Sequence, residues 1–168
     1  DMFVAIIVAI VIVFLIVILM MRSVINPLLI MVSIPLAFIG SILALLISGH
    51  TLGVSGLMGL LMLIGIVLTN AIVLVSMVEQ LRKKGLTVHD ALVEGGKTRL
   101  RPILMTALTT ILAMIPMAIF VSSGTMLSAE LAIVVIGGMI TSSFLTLFVI
   151  PALYSLVHQR KRAAKAKP

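Results

Sequence analysis

The residues of this sequence with the most capacity for chemistry are one amide, one arginine and a set of threonines. Asn70 is the amide that stands inside an apolar stretch, with Thr69 beside it. At ~100° per residue, Gly56, Gly59, Leu63 and Asn70 fall in one sector of a helix. An amide left unpaired among lipid tails costs several kcal/mol, so Asn70 must meet a group on another helix or line a wet cavity. Both interhelical glue and a functional role are open to it. Thr69 points about a quarter turn away, and a threonine hydroxyl can satisfy itself on the preceding turn. Further along, Arg99-Leu100-Arg101-Pro102 leads into Thr106, Thr109 and Thr110. If a helix runs through Pro102 unbroken, Arg99, Thr106, Thr110 and Ala113 share a face, a polar stripe entering an apolar segment. Alternatively Pro102 is the first helical residue, which leaves Arg99 outside the regular turn. Arg101, and Arg99 on that second reading, are then anchors to lipid headgroups.

Other chemistries lack their residues. His50, His89 and His158 lie in different connections or at a helix end, no HExxH or GxSxG occurs, and Gly53-Val54-Ser55-Gly56 lacks the spacing of a nucleophile elbow. With no cysteine there is no disulfide framework, thiolate metal site or cysteine nucleophile. No enzyme activity, metal centre or cofactor is therefore expected. Nor does any Asp, Glu, His or Lys fall inside an apolar span, so the chain alone holds no titratable group to carry a proton or bind a coupling cation within the membrane. A channel has little support, since neither a ring-forming charge nor a carbonyl-filter sequence is present.

The elements that must position these residues follow from composition. The chain has 168 residues, 62% hydrophobic and only 10% charged, whereas soluble domains are about half apolar and about a quarter charged. It is expected to be an all-α polytopic membrane protein. The charge-free run 2–21 covers the ~30 Å hydrocarbon core at ~1.5 Å per residue, and four more apolar segments follow at 27–48, 56–77, 102–121 and 131–157. Five spanning helices result, the last probed near its end by Pro151 and expected to break there. The first run lacks a basic flank and a cleavage site, so it does not read as a signal peptide. The chain opens on Asp1, which suggests a piece of a longer polypeptide.

The breaks between segments carry turn chemistry or charge: Arg22-Ser23 with Asn26-Pro27, Ser48-Gly49-His50, a polar stretch at 79–101, and Ser122-Ser123-Gly124. All twelve lysines and arginines fall on one side of the resulting topology: Arg22; Arg82, Lys83, Lys84, Lys97, Arg99 and Arg101; and Arg160, Lys161, Arg162, Lys165 and Lys167. By the positive-inside bias those connections are cytoplasmic, while Asp1, His50 and Glu130 face the exterior. The net charge of +7 thus reads as topology and contact with anionic lipid, not as a nucleic-acid surface. The expected organisation is three helices in 1–78, a basic cytoplasmic loop in 79–101, two helices in 102–157 and a basic tail in 158–168.

Within the loop, Thr87 and Asp90 form a capping pattern, Val88, Ala91 and Leu92 a modest apolar face, and Gly95-Gly96 an end, so a short helix at the membrane surface is expected. Small residues mark protein-facing sides of membrane helices. Gly56 and Gly59 are such positions in the third helix, and Gly138, Ser142 and Thr146 form a ladder in the fifth. Glu130, two residues after an expected Ser128 cap, suits a helix N-terminus. Pro35 and Pro116 should bend helices two and four.

The run Gly65-Ile-Val-Leu-Thr-Asn70-Ala-Ile-Val-Leu, then Thr98-Arg99-Leu-Arg101-Pro102-Ile-Leu-Met-Thr106-Ala-Leu-Thr, resembles the C-terminal membrane segment of resistance-nodulation-division (RND) efflux permeases. Ile136-Gly137-Gly138-Met139 and Phe148-Val-Ile-Pro151-Ala-Leu-Tyr154 extend the likeness over all five helices. The resemblance implies helices eight to twelve of a twelve-helix protomer in the cell membrane, with the N-terminus outside and the C-terminus in the cytoplasm. It implies a homotrimer with porter domains, a periplasmic adaptor and an outer-membrane channel as partners, exchanging protons for export of drugs, detergents, lipids or metals. It also implies that Asn70, Arg99 and Thr106 are partners of relay aspartates absent from this chain. Thr69 stands where many drug exporters have lysine, so it is the candidate substitute and charge compensation falls to Arg99 and hydroxyls. Thr69-Asn70-Ala71 looks more like the drug or amphiphile branch than the heavy-metal branch. The competing reading is a self-contained five-helix scaffold or small exporter subunit without proton coupling of its own.

Overall fold

The computed structural model describes residues 2–21, 25–119 and 126–165, with side chains over 2–21, 25–119 and 128–156. Asp1, the Arg22-Ser23 and Ser122-Ser123-Gly124 turns, and the side chains of the basic tail lie outside the described residues. The regular structure of the described residues is all helix: α1 (Met2–Met21), α2 (Ile25–Met31), α3 (Ser33–Ser48), α4 (Val54–Lys83), α5 (Val88–Ile119) and α6 (Met126–Lys165). α2 and α3 form one span, Ile25–Ser48, so five helical units are long and apolar enough to cross a membrane. Pro35 accounts for the division. It has no N–H to offer the carbonyl of Met31, its ring crowds that carbonyl, and the helix interrupts at Val32. Ser33 Oγ donates to the Ile30 carbonyl at 2.6 Å across the interruption.

Two helices run further than the sequence suggests. The expected short surface helix and the fourth spanning helix are one rod, α5, which contains Gly95, Gly96 and Pro102 without interruption. The start is as the residue types require, with Asp90 N–H donating to Thr87 Oγ1 at 3.2 Å. Gly95 does not end the helix because it is buried against α4, where an added Cβ would lie 2.9 Å from Val78 Cγ2. Tertiary packing thus outweighs the glycine's poor helix propensity. The 79–101 segment is accordingly the end of α4, a turn with Gly85 at φ 94°, and the first turns of α5. Likewise α6 passes through Pro151 unbroken. Ile150 and Tyr154 are buried on either side of that proline, which holds both halves in register despite one lost hydrogen bond.

α6 is the centre of the bundle, with α3, α4 and α5 packed around it. Its approach to α3 is close because both backbones present glycine. A Cβ added to Gly137 would fall on Ala44 Cβ and lie 2.8 Å from the Gly40 carbonyl; one added to Gly40 would fall on Thr141 and lie 2.8 Å from the Gly137 carbonyl. Ser41 Oγ, fully buried, donates at 3.0 Å to the Val134 carbonyl across the same contact. Gly138 faces Leu63 of α4, and a Cβ added to Gly59 would lie 3.0 Å from the Leu131 carbonyl. Gly56 lies against Leu52 and Val134, and Ser142 is buried with its hydroxyl on the Met139 carbonyl at 3.4 Å. α1, by contrast, buries only Val17 and Met21, both near its C-terminal end.

The α4–α6 contact is closed at each end by a polar pair. At one end buried Ser55 donates its hydroxyl to Glu130 Oε2 at 2.7 Å. At the other, Arg82 Nη1 donates to Tyr154 Oη at 3.2 Å, with the guanidinium 5.9 Å from the ring centroid. Because α6 begins at Met126, Ser128 is not its cap and Glu130 lies beyond the first turn. Its carboxylate serves the neighbouring helix instead. Ser55→Ala removes a hydrogen bond to a charged acceptor, worth about 1.5–3 kcal/mol. A lower thermal midpoint of the full-length protein in detergent is expected, and an unchanged midpoint would refute the assignment.

Candidate functional site

The unbroken α5 settles which geometry holds for the polar stripe. Ala91, Gly95, Ile103 and Ala107 are its buried positions, and at ~100° per residue Arg99 falls among them. Thr106 and Thr110 lie within about 20° of the Arg99 direction, yet Thr106 is exposed and Thr110 half-buried. Arg99 is half-buried, and its Nε is sealed from solvent with no hydrogen-bond partner. No carboxylate reaches it, since His89–Asp90, at 3.8 Å, is the one ion pair among the described residues.

The threonines occupy themselves locally. Thr106 Oγ1 donates to the Pro102 carbonyl at 2.7 Å, Thr109 to Met105 and Thr110 to Thr106, each at 2.8 Å. Thr69 is exposed and donates to the Gly65 carbonyl at 2.8 Å. Each hydroxyl has spent its hydrogen but keeps acceptor capacity towards an incoming group. Asn70 is half-buried, with no hydrogen bond to a described residue. Val67 of α4 and Ala107 of α5 belong to one apolar cluster; Asn70 stands three residues after Val67 and Thr106 next to Ala107. No direct hydrogen bond joins Asn70, Arg99 and Thr106. What they have in common is a position at the edge of a bundle whose α5 surface is largely uncovered: Met105, Leu108 and Leu112 are about 60% exposed.

Polar groups missed in the sequence reading lie deeper. Ser143 and Thr146 of α6 are buried with hydroxyls that have no partner, and Ser143 borders an apolar groove shared with Leu104, Ala107 and Leu108 of α5. Thr146 read as packing because its spacing matched Gly138 and Ser142. Asn26 read as turn chemistry, yet it is 3% exposed and donates from Nδ2 to Glu79 Oε2 at 3.2 Å. Its position immediately before Pro27, inside a segment destined for helix, was the available signal. Among the described residues no group of three His, Cys, Asp or Glu is placed to hold a metal ion.

The family model described as "AcrB/AcrD/AcrF family" matches residues 1–158. The chain is 46% identical over 132 residues to the swarming motility protein SwrC of Bacillus subtilis, covering 78% of this chain and 12% of that protein. It is 40% identical over 146 residues to the cobalt-zinc-cadmium resistance protein CzcA of Cupriavidus metallidurans, covering 87% of this chain and 14% of that protein. A crystal structure of a heavy metal efflux pump superposes with a TM-score of 0.80 at 35% identity, over 89% of this chain and 14% of the pump. The chain thus spans about one seventh or less of the length of these relatives.

Proposed function

Because this chain belongs to the AcrB/AcrD/AcrF family of resistance-nodulation-division permeases, we propose that it is the C-terminal membrane segment of a proton-driven efflux transporter and carries the groups that respond when carboxylates elsewhere in the protein change protonation. The observation that carries this reading is Arg99. Its Nε is buried and without a partner, and a guanidinium in such surroundings calls for an anionic partner. That anion is supplied by the remainder of the transporter. With carboxylates ionised, Arg99 pairs with them while Asn70 donates its amide. On protonation the pairing weakens, and the helices carrying the two sides are free to shift. Thr69, whose hydroxyl donates to the Gly65 carbonyl, brings lone pairs and no charge to the place of a lysine. The positive side of the balance falls to Arg99, with Thr106 accepting a hydrogen bond.

The positive-inside bias supports a topology with the basic connections in the cytoplasm and Glu130 outside. A homotrimer working with an adaptor and an outer-membrane channel is the assembly we propose for the whole protein. Relatives named for cobalt, zinc, cadmium and nickel resistance support a divalent metal cation as cargo. The amphiphile reading of Thr69-Asn70-Ala71 is second, supported by the 46% identity to a relative whose name carries no metal.

Vesicles containing the full-length transporter test the proposal. An imposed pH gradient is expected to drive cobalt or zinc across the membrane, read with an entrapped metal-sensitive dye, and a proton ionophore to stop it. Transport of a fluorescent amphiphile alone would transfer the assignment to the second cargo. Transport of neither, or transport indifferent to the ionophore, would overturn the coupling.

A further inference from the structure

We infer that the groove between the C-terminal end of α1 and the last turns of α4 is a site for the headgroup of an amine-bearing phospholipid. Met20 and Met21 of α1 and Ser76, Glu79, Gln80 and Lys83 of α4 line it. Glu79 and Lys83 stand one helical turn apart, the spacing at which such residues usually pair with each other. Here they do not. Glu79 Oε2 accepts from Asn26 Nδ2 at 3.2 Å, an anchor that is itself 97% buried because Asn26 is 3% exposed. Asn26 therefore holds the carboxylate from α2, and the Lys83 ammonium stays separate, so the groove offers a fixed negative and a separate positive group with Cβ atoms about 6 Å apart.

A phosphoethanolamine head is the complement of that pair. Its primary ammonium has three hydrogens to donate. Glu79 can take one, and Ser76, whose own hydrogen goes to the Val73 carbonyl at 3.0 Å, retains lone pairs for another. The phosphate meets Lys83. A choline head has no hydrogen to donate, and a glycerol head offers neutral hydroxyls but no positive charge to meet Glu79, so the arrangement favours the primary ammonium over both. Depth and size agree. At ~1.5 Å per residue Glu79 lies about 37 Å along α4 from Val54, so with Val54 at one boundary of a ~30 Å hydrocarbon core Glu79 reaches the headgroup layer at the other. The groove's volume, ≈ 170 Å³, is that of about half a dozen waters at ~30 Å³ each, room enough for a head. The acyl chains then lie along the uncovered side of α1, where Ile16 is 57% and Leu19 78% exposed.

Native mass spectrometry of the detergent-solubilised full-length transporter, with phosphatidylethanolamine, phosphatidylcholine and phosphatidylglycerol of matched chains, tests this. The wild type is expected to retain phosphatidylethanolamine at least about fivefold over the other two. Glu79→Gln keeps an acceptor for Asn26 but loses the anion, and Lys83→Gln loses the cation; each should lower that retention about tenfold. Equal retention of the three lipids by the wild type would overturn the site. So would undiminished phosphatidylethanolamine in both variants, or a preference for phosphatidylglycerol, which would mark a surface that reads positive charge alone.

Discussion

Arg99→Ala in the full-length transporter is expected to reduce proton-driven export by about a hundredfold or more, with the protein still present at its normal level in the membrane. Removing one member of a buried ion pair costs about 3–5 kcal/mol because the other charge is left uncompensated, and each ~1.4 kcal/mol is a factor of ten. The cost falls on the state in which carboxylates are ionised, which is the state that must re-form in every cycle. Arg99→Lys is expected to recover part of the rate. It restores the charge, but the ammonium lacks the planar fork and the Nε that the structure holds in its sealed position. Initial rates under an imposed pH gradient, normalised to immunoblot signal, check both variants. Proton-dependent export unchanged in Arg99→Ala would remove this residue from the mechanism.

Gly40→Val should produce the largest loss of folded protein. The new side chain would have to occupy the volume of Thr141 and of the Gly137 backbone, and a helix backbone cannot rotate aside as a flexible side chain can. Overpacking typically costs ~1–3 kcal/mol, and this position lies at or above the top of that range. The α3–α6 crossing would open, taking with it the Ser41 to Val134 hydrogen bond. Gly96→Ala provides the contrast. Nothing lies within 4 Å of a Cβ built there, so relief of glycine's helix penalty should stabilise the protein by up to ~1 kcal/mol. Thermal unfolding of the two full-length variants in detergent separates them: a large fall for Gly40→Val and no fall for Gly96→Ala. Equal midpoints would contradict the packing described for α3 and α6.

The five crossings were legible because charge-free runs of bilayer length leave little alternative, and Pro35 announced the interruption between α2 and α3. Helix boundaries were less so. Gly95, Gly96 and Pro102 are local signals for ending a helix, and the sequence contains nothing that reveals Val78 lying against Gly95. The stripe of Arg99, Thr106 and Thr110 could be drawn from spacing only on the condition that α5 is continuous, and that condition depends on a tertiary contact. Gly138 stood out through its regular spacing with Ser142 and Thr146. Gly40 did not, because its significance lies in Gly137, nearly a hundred positions away, and periodicity within one helix carries no such information. Asn26 and Glu79 were assigned to separate polar connections for the same reason, although they meet across two helices.

The continuity of α5 has a mechanical consequence. A single helix, uninterrupted through Pro102, carries Arg99 and Ala107 and starts three residues after the turn at Gly85. From Ala107 to Val88 is about 28 Å at ~1.5 Å per residue, so a tilt of ~5° about Ala107 sweeps the Val88 end through ~2.5 Å. Arg99 sits partway along the same lever. Arg99 is eight residues, about 12 Å, from Ala107, so under the proposed coupling a displacement at its guanidinium would be roughly doubled at the Val88 end of the same rod.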